Sequence, residues 1–264
     1  MTLTRETILN AVENALQPLA YVHALWQGGA AAFNRADEWS DIDLMIIADD
    51  DRVADTVTAL ETALLSLSPI DIRNELPAPT WHGHWQTFYR LRDTSPFLFI
   101  DCVVLKLSNP NRFLEIELHG HAVVHFDKGD FTQSPPLSVE NHLELLKKRF
   151  EAVKTKFDLF HYAMTQKELN RGNGMDALAY YHAFTLRPLV EVLRIQHDPA
   201  RHDFYIRYAK YDLPPEVVAR LEPLFFVANS DDLAAKLTQA GQFFVEACAQ
   251  IDFDGVRRKL AGDR

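Results

Sequence analysis

The chain has 264 residues, 47% of them hydrophobic and 24% charged, and carries a formal net charge of −10. This is enough for one large or two modest domains with a sizeable core, and it argues against a polymerase-like grip on nucleic-acid backbone, which needs a basic face. Two cysteines make no disulfide scaffold. No apolar run reaches the ~18–20 residues that span a bilayer, and Met1–Glu6 lacks a signal-peptide layout, so the expected compartment is the cytoplasm and no membrane partner is expected.

Residues 4–19 place Ile8, Leu9, Val12, Ala15, Leu16 and Leu19 at helical spacing, predicting an amphipathic helix that ends near Pro18. Tyr21 to Trp26 reads as a short strand leading into the turn Gly28-Gly29. A second strand is expected over Asp41–Ala48, with Asp41 and Asp43 on one face and Ile42, Leu44 and Ile46 on the other. Asp49-Asp50-Asp51 reads as the N-terminal cap of a helix carrying Val53, Val57, Leu60, Leu64 and Leu67, which stops at Ser68-Pro69. Strands follow over Ile70–Leu76, Gln86–Leu91 and Phe97–Leu107. Asp101 interrupts the last of these, and a carboxylate in so apolar a strand needs a partner or a metal.

Two histidine clusters invite attention. Trp81-His82-Gly83-His84-Trp85 reads as a loop lining the cleft, where its rings stack on a base or substrate. His119, His121 and His125 read as a strand-and-turn segment closing the first domain. Neither has the cysteine partners or the His-Glu-x-x-His signature of a zinc site.

Asp127-Lys128-Gly129-Asp130 and Ser134-Pro135-Pro136 form the clearest linker, and the chain is helical beyond it. Ser138 is expected to cap a helix whose stripe of Leu143, Leu146, Phe150, Val153, Phe157, Phe160 and Met164 faces a core. Lys147, Lys148, Arg149 and Lys154 read as a solvated face, with contact to a triphosphate as the functional alternative. Asp176 should cap a helix running through Tyr180, Tyr181, Phe184 and Leu193, kinked by Pro188. His197–Leu213 is a basic, aromatic connector, and Ser230 opens the last helix with Leu233, Leu237, Phe244 and Cys248 inward. Both cysteines are expected as buried free thiols.

The chemistry concentrates between the glycine pair and the second strand. Two carboxylates side by side repel unless a cation sits between them, and such oxygen-only ligands suit Mg²⁺. Ser40-Asp41-Ile42-Asp43-Leu44 after Gly28-Gly29 resembles the nucleotidyltransferases of the DNA polymerase β-like superfamily. Ala30 stands where that pattern usually has serine and Asn34 where glycine is frequent, the latter being tolerant of left-handed backbone. The resemblance implies an α+β fold: a mixed sheet with flanking helices over residues 1–135 as the catalytic domain, and an all-α bundle over 136–264 that helps hold substrate and nucleotide.

It also implies that Asp41, Asp43 and Asp101 are the catalytic, metal-holding carboxylates, with Asp71 the competitor of Asp101, and that Gly28, Gly29, Ala30 and Ser40 meet the nucleotide. The cofactors would be two Mg²⁺ ions with an NTP, ATP in the first instance, as co-substrate. The layout with a helical second domain resembles antibiotic nucleotidyltransferases acting on aminoglycosides or lincosamides, so the expected partners are a nucleoside triphosphate and a small-molecule acceptor. A non-catalytic nucleotide-sensing or toxin–antitoxin role and the addition of AMP to another protein are the alternatives. The oligomeric state is left open.

Overall fold

A computed structural model describes residues 3–262, and the chain divides into two compact units, residues 1–136 and 137–264. In the first, α1 (Arg5–Leu16) is capped by Thr4, whose hydroxyl accepts from the Thr7 amide. It buries Ile8, Leu9, Val12 and Leu16, the face set by their spacing. β1 (Val22–Gln27) follows, then a single helical turn, α2 (Gly29–Ala32), then β2 (Ile42–Ala48). α3 (Val53–Leu67) returns over the sheet, and β3 (Ile70–Glu75), β4 (Trp85–Leu91) and β5 (Ile100–Lys106) complete its middle and one edge. A short α4 (Ile116–His119) leads to β6 (Val123–Asp127).

The six strands are ordered β3-β4-β5-β2-β1-β6, with β2 and β5 parallel and every other pair antiparallel. Alternation along the strands then assigns the faces. Ile42, Leu44 and Ile46 of β2 join Ile100, Cys102 and Val104 of β5 in a core with Ile8, Val12, Leu60 and Leu64 of the two helices. Ile47, Val103 and Trp26, of the opposite parity, form a smaller cluster with Leu114.

Several local expectations need correction. The strand expected over Phe97–Leu107 is β5, which begins only at Ile100, and the preceding Phe97 and Phe99 are exposed. The acidic run does not cap α3 through its side chains. Asp49 pairs with His23 at 2.7 Å, and Asp50 accepts from the Ser108 amide at 3.0 Å, so tertiary partners take both carboxylates.

The second unit opens with α5 (Val139–Asn170), which buries Leu143, Leu146, Phe150, Val153 and Phe157. Phe160 is exposed, since the buried stripe moves on to Thr165 and Glu168. Ser138 is its cap residue but makes no side-chain cap bond. α6 (Gly174–Tyr181) is capped at Asn173, with Asp176 inside its first turn. The widened π turn His182–Leu186 joins it to α7 (Arg187–His197). Pro188 therefore sits in the first turn of a resumed helix, where its missing N–H is harmless, and the irregularity falls just before it.

α8 (Ala209–Asp212) and α9 (Pro215–Leu221) precede α10 (Ser230–Ala249), and a further helix not foreseen, α11 (Phe253–Leu260), is capped by the Asp252 carboxylate. Leu233, Leu237 and Phe244 are buried as expected. Cys102 is buried but Cys248 only half so, and both thiols are free. Among the described residues no helix is long and apolar enough to cross a membrane.

Arg194, wholly buried in α7, organises the connector that follows. It pairs with Asp198 at 2.8 Å and Asp212 at 3.4 Å, and donates to the carbonyls of Tyr205 and Arg207. Burial pushes its pKa down and the two carboxylates pull it back up.

Candidate active site

Asp43 and Asp101 are each the second residue of their strand, and the parallel register sets them directly opposite each other. Neighbouring strands run about 4.8 Å apart, so the two side chains leave one face of the sheet side by side. Both are half-buried, whereas Asp41, two residues upstream and just outside β2, is exposed. β1 ends at the same edge, so its turn arrives against these acids: the Gly28 amide donates to the Asp43 carbonyl at 3.0 Å.

Gly29 makes the closest approach. Its φ is +55°, and a Cβ there would lie 1.7 Å from Asp43 Oδ2. The glycine is required twice, by its left-handed backbone and by the carboxylate that occupies the side-chain space. Asn34 also adopts φ +54°, in keeping with its tolerance of that region. Ala30 is buried in α2, its carbonyl accepting from the Arg35 amide at 2.9 Å.

Ser40 and Asp37 close the loop ahead of β2. The Ser40 hydroxyl donates to Asp37 Oδ1 at 2.7 Å and accepts from the Asp37 amide at 3.0 Å, and this contact lowers the Asp37 pKa. Arg5 of α1 forks onto the same loop, donating to the carbonyls of Ser40 at 2.6 Å and Asp41 at 2.9 Å. Sequence reasoning missed Arg5. No pattern within a first helix marks a guanidinium that fastens a loop 35 residues later.

Asp71 lies on the edge strand β3, two strands from β5, and is held by Arg90 at 2.5 Å. The structure does not bring it to the acid pair. His82 and His84 are buried, so the imidazoles expected to stack on substrate are internal groups of the fold. Trp81 is the exposed ring of that cluster, and Trp85 is half-buried. His84 donates from Nε2 to the Asn111 carbonyl at 2.7 Å and accepts at Nδ1 from the Lys106 amide at 3.1 Å. Its pKa is pushed down by burial. His125 contacts Gln27 at 2.9 Å and Glu13 at 3.1 Å. In the helical unit, Lys147 pairs with Glu144 and Arg149 with Glu191.

Among the described residues, no three His, Cys, Asp or Glu side chains are gathered so as to hold a metal ion by themselves. Paired oxygen donors of the Asp43–Asp101 kind nevertheless fit Mg²⁺, which binds through one or two carboxylates and completes its shell with water and substrate phosphates. Fold and site together define an α+β unit with an in-register acid pair facing a glycine turn.

The chain matches no protein-family model and no curated protein. Among solved structures it is similar to an aminoglycoside 6-adenyltransferase from Bacillus subtilis, at 10% identity over 99% of this chain and 93% of that one, with a TM-score of 0.36. A nucleotidyltransferase-like protein from Exiguobacterium sibiricum aligns at 12% identity over 92% of this chain and 75% of that one, with a TM-score of 0.37. A c-di-GMP synthase from Capnocytophaga granulosa aligns at 14% identity over 95% and 85%, with a TM-score of 0.30. These are distant likenesses.

Proposed function

We propose that the chain is a nucleotidyltransferase that moves a nucleoside monophosphate, AMP in the first instance, from a triphosphate to a hydroxyl of a small molecule. The observation that carries this is the Asp43–Asp101 pair, held in register on adjacent parallel strands opposite the Gly28-Gly29 turn. In this reading Asp43 and Asp101, with Asp41 at the rim, hold Mg²⁺, and Gly28, Gly29 and Ala30 border the phosphates, with Ser40 keeping the loop closed. Bound Mg²⁺ would neutralise charge on the attacking and leaving oxygens.

The residues themselves position and accept. The acceptor oxygen forms a bond to the α-phosphorus, the α–β bridging P–O bond breaks and pyrophosphate leaves. Asp101 is placed to take the hydroxyl proton as it is released. A net charge of −10 favours a cationic acceptor by long-range attraction, the chemistry of an aminoglycoside.

Ala30 favours a second reading, nucleotide sensing without turnover, because a buried methyl there offers no polar group to a phosphate. Calorimetry of the full chain with ATP, GTP, CTP and UTP in Mg²⁺, followed by pyrophosphate release with a panel of aminoglycosides, separates the two. The expected result is binding and release that Asp43→Asn abolishes while leaving the fold intact. Binding without release for every acceptor would favour sensing, and no binding of any triphosphate would refute both.

A further inference from the structure

Asp101 does not stand alone on its strand. Across β4 and β5 it faces Phe88, while Gln86 faces Val103, so Gln86 is its diagonal neighbour on the same face of the sheet. Gln86 Nε2 donates to Asp101 Oδ1 at 2.7 Å, and Gln86 Oε1 lies 3.0 Å from His82 Nε2. The other imidazole nitrogen, His82 Nδ1, accepts from the backbone amide of His84 at 3.1 Å.

Donor and acceptor chemistry leaves this chain one arrangement. A backbone N–H can only donate, so Nδ1 of His82 must be bare, and the neutral ring carries its proton on Nε2. That proton points at Gln86 and requires the carbonyl oxygen of the amide. The carboxylate of Asp101 can only accept, and receives the amide NH₂. Flipping Gln86 would set oxygen against oxygen at one end and N–H against N–H at the other.

We infer that Gln86 is a positioning residue for Asp101, and that His82, locked in one tautomer by the His84 backbone, sets the direction in which Gln86 holds it. The relay fixes the rotation of the Asp101 carboxylate, hence where its oxygens stand relative to Asp43. His82 touches neither acid and acts only through Gln86. The role in turnover rests on the nucleotidyl-transfer reading; the relay itself does not.

The test combines side-chain amide NMR with kinetics on the full chain. In ¹⁵N-labelled protein, the Gln86 NH₂ resonances should move in both Asp101→Asn and His82→Ala, with melting curves confirming that each variant is folded. In turnover, Gln86→Met should lower kcat roughly tenfold to a hundredfold with KM for the triphosphate within about twofold, since misplacing a reacting group by ~1 Å costs on the order of 10². His82→Ala should lower kcat less, and the double variant should be no slower than Gln86→Met, because the two residues act in series. Gln86 resonances indifferent to His82→Ala would overturn the relay. Wild-type kcat in Gln86→Met, or additive losses in the double variant, would overturn the positioning role while leaving nucleotidyl transfer standing. If the wild-type chain transfers no nucleotide, that reading falls and the relay is decided by the amide resonances alone.

Discussion

Replacing Gly29 by alanine tests the geometry of the acid pair most directly. The substitution adds one methyl group at φ +55°, which would lie 1.7 Å from Oδ2 and 2.4 Å from Cγ of Asp43. Left-handed backbone costs a residue with a Cβ about 1–2 kcal/mol. For a unit the size of residues 1–136, that is a fall in Tm of roughly 3–8 °C. The clash is relieved only if the carboxylate retreats by about 1 Å or more, a misplacement worth on the order of 10² in rate.

Calorimetric melting and initial-rate measurements on the same samples separate the two effects. In an Asp43→Ala background the side-chain space is vacant, so Gly29→Ala should there cost only its backbone part. Turnover within twofold of wild type, or an equal Tm loss in both backgrounds accompanied by unaltered rate, would show that Gly29 does not border a positioned Asp43.

Arg5→Ala removes both bonds to the Ser40 and Asp41 carbonyls and should cost about 1–3 kcal/mol by denaturant titration, with kcat falling by at least tenfold as the Asp41 loop loosens. Arg194→Met takes the wholly buried cation from Asp198 and Asp212, leaving Arg201 at 2.9 and 3.4 Å to serve both carboxylates, and should destabilise the helical unit by about 3 kcal/mol in the same assay. Burial depresses the His84 pKa from its ordinary 6.5, so the unfolded chain binds more protons than the folded one as pH falls below that value. Its stabilising contribution is complete above about pH 6.5 and declines as pH falls toward the folded pKa, so Tm measured from pH 8 to 5 should drop, and His84→Asn should flatten that slope.

What could be read beforehand follows from the range of the interactions involved. The alternation of Ile42, Asp43, Leu44 and Met45 is local, and so β2, its faces and the glycine turn were visible in the residues themselves. Asp101 stood out because an acid in a run of Ile100, Cys102, Val103 and Val104 violates the pattern around it. Gln86 left no such mark. A polar residue on an alternating strand looks solvated until β5 brings a carboxylate beside it. The burial of His82 and His84 is hidden for a related reason: composition suggests an open aromatic loop, and the carbonyl of Asn111 and the amide of Lys106, which satisfy the buried His84 ring, are distant in sequence. The acids after β2 lost their capping role to His23 and Ser108, partners 26 and 58 residues distant in sequence. Hydrogen bonds across such separations have no periodic signature.

The parallel pairing of β2 and β5 has a consequence for how the site withstands change. A slip of one residue between these strands would bring Cys102 opposite Asp43 and turn the Asp101 carboxylate into the layer occupied by Ile8, Val12 and Leu60. The penalty for that slip falls on core residues away from the acids: Ile100, Cys102 and Val104 must all leave the core together. The alignment of the two acids is thus guarded from the far side of the sheet. Mutations that merely thin out that hidden layer should break the alignment of the acids abruptly, when register is lost, and not by degrees.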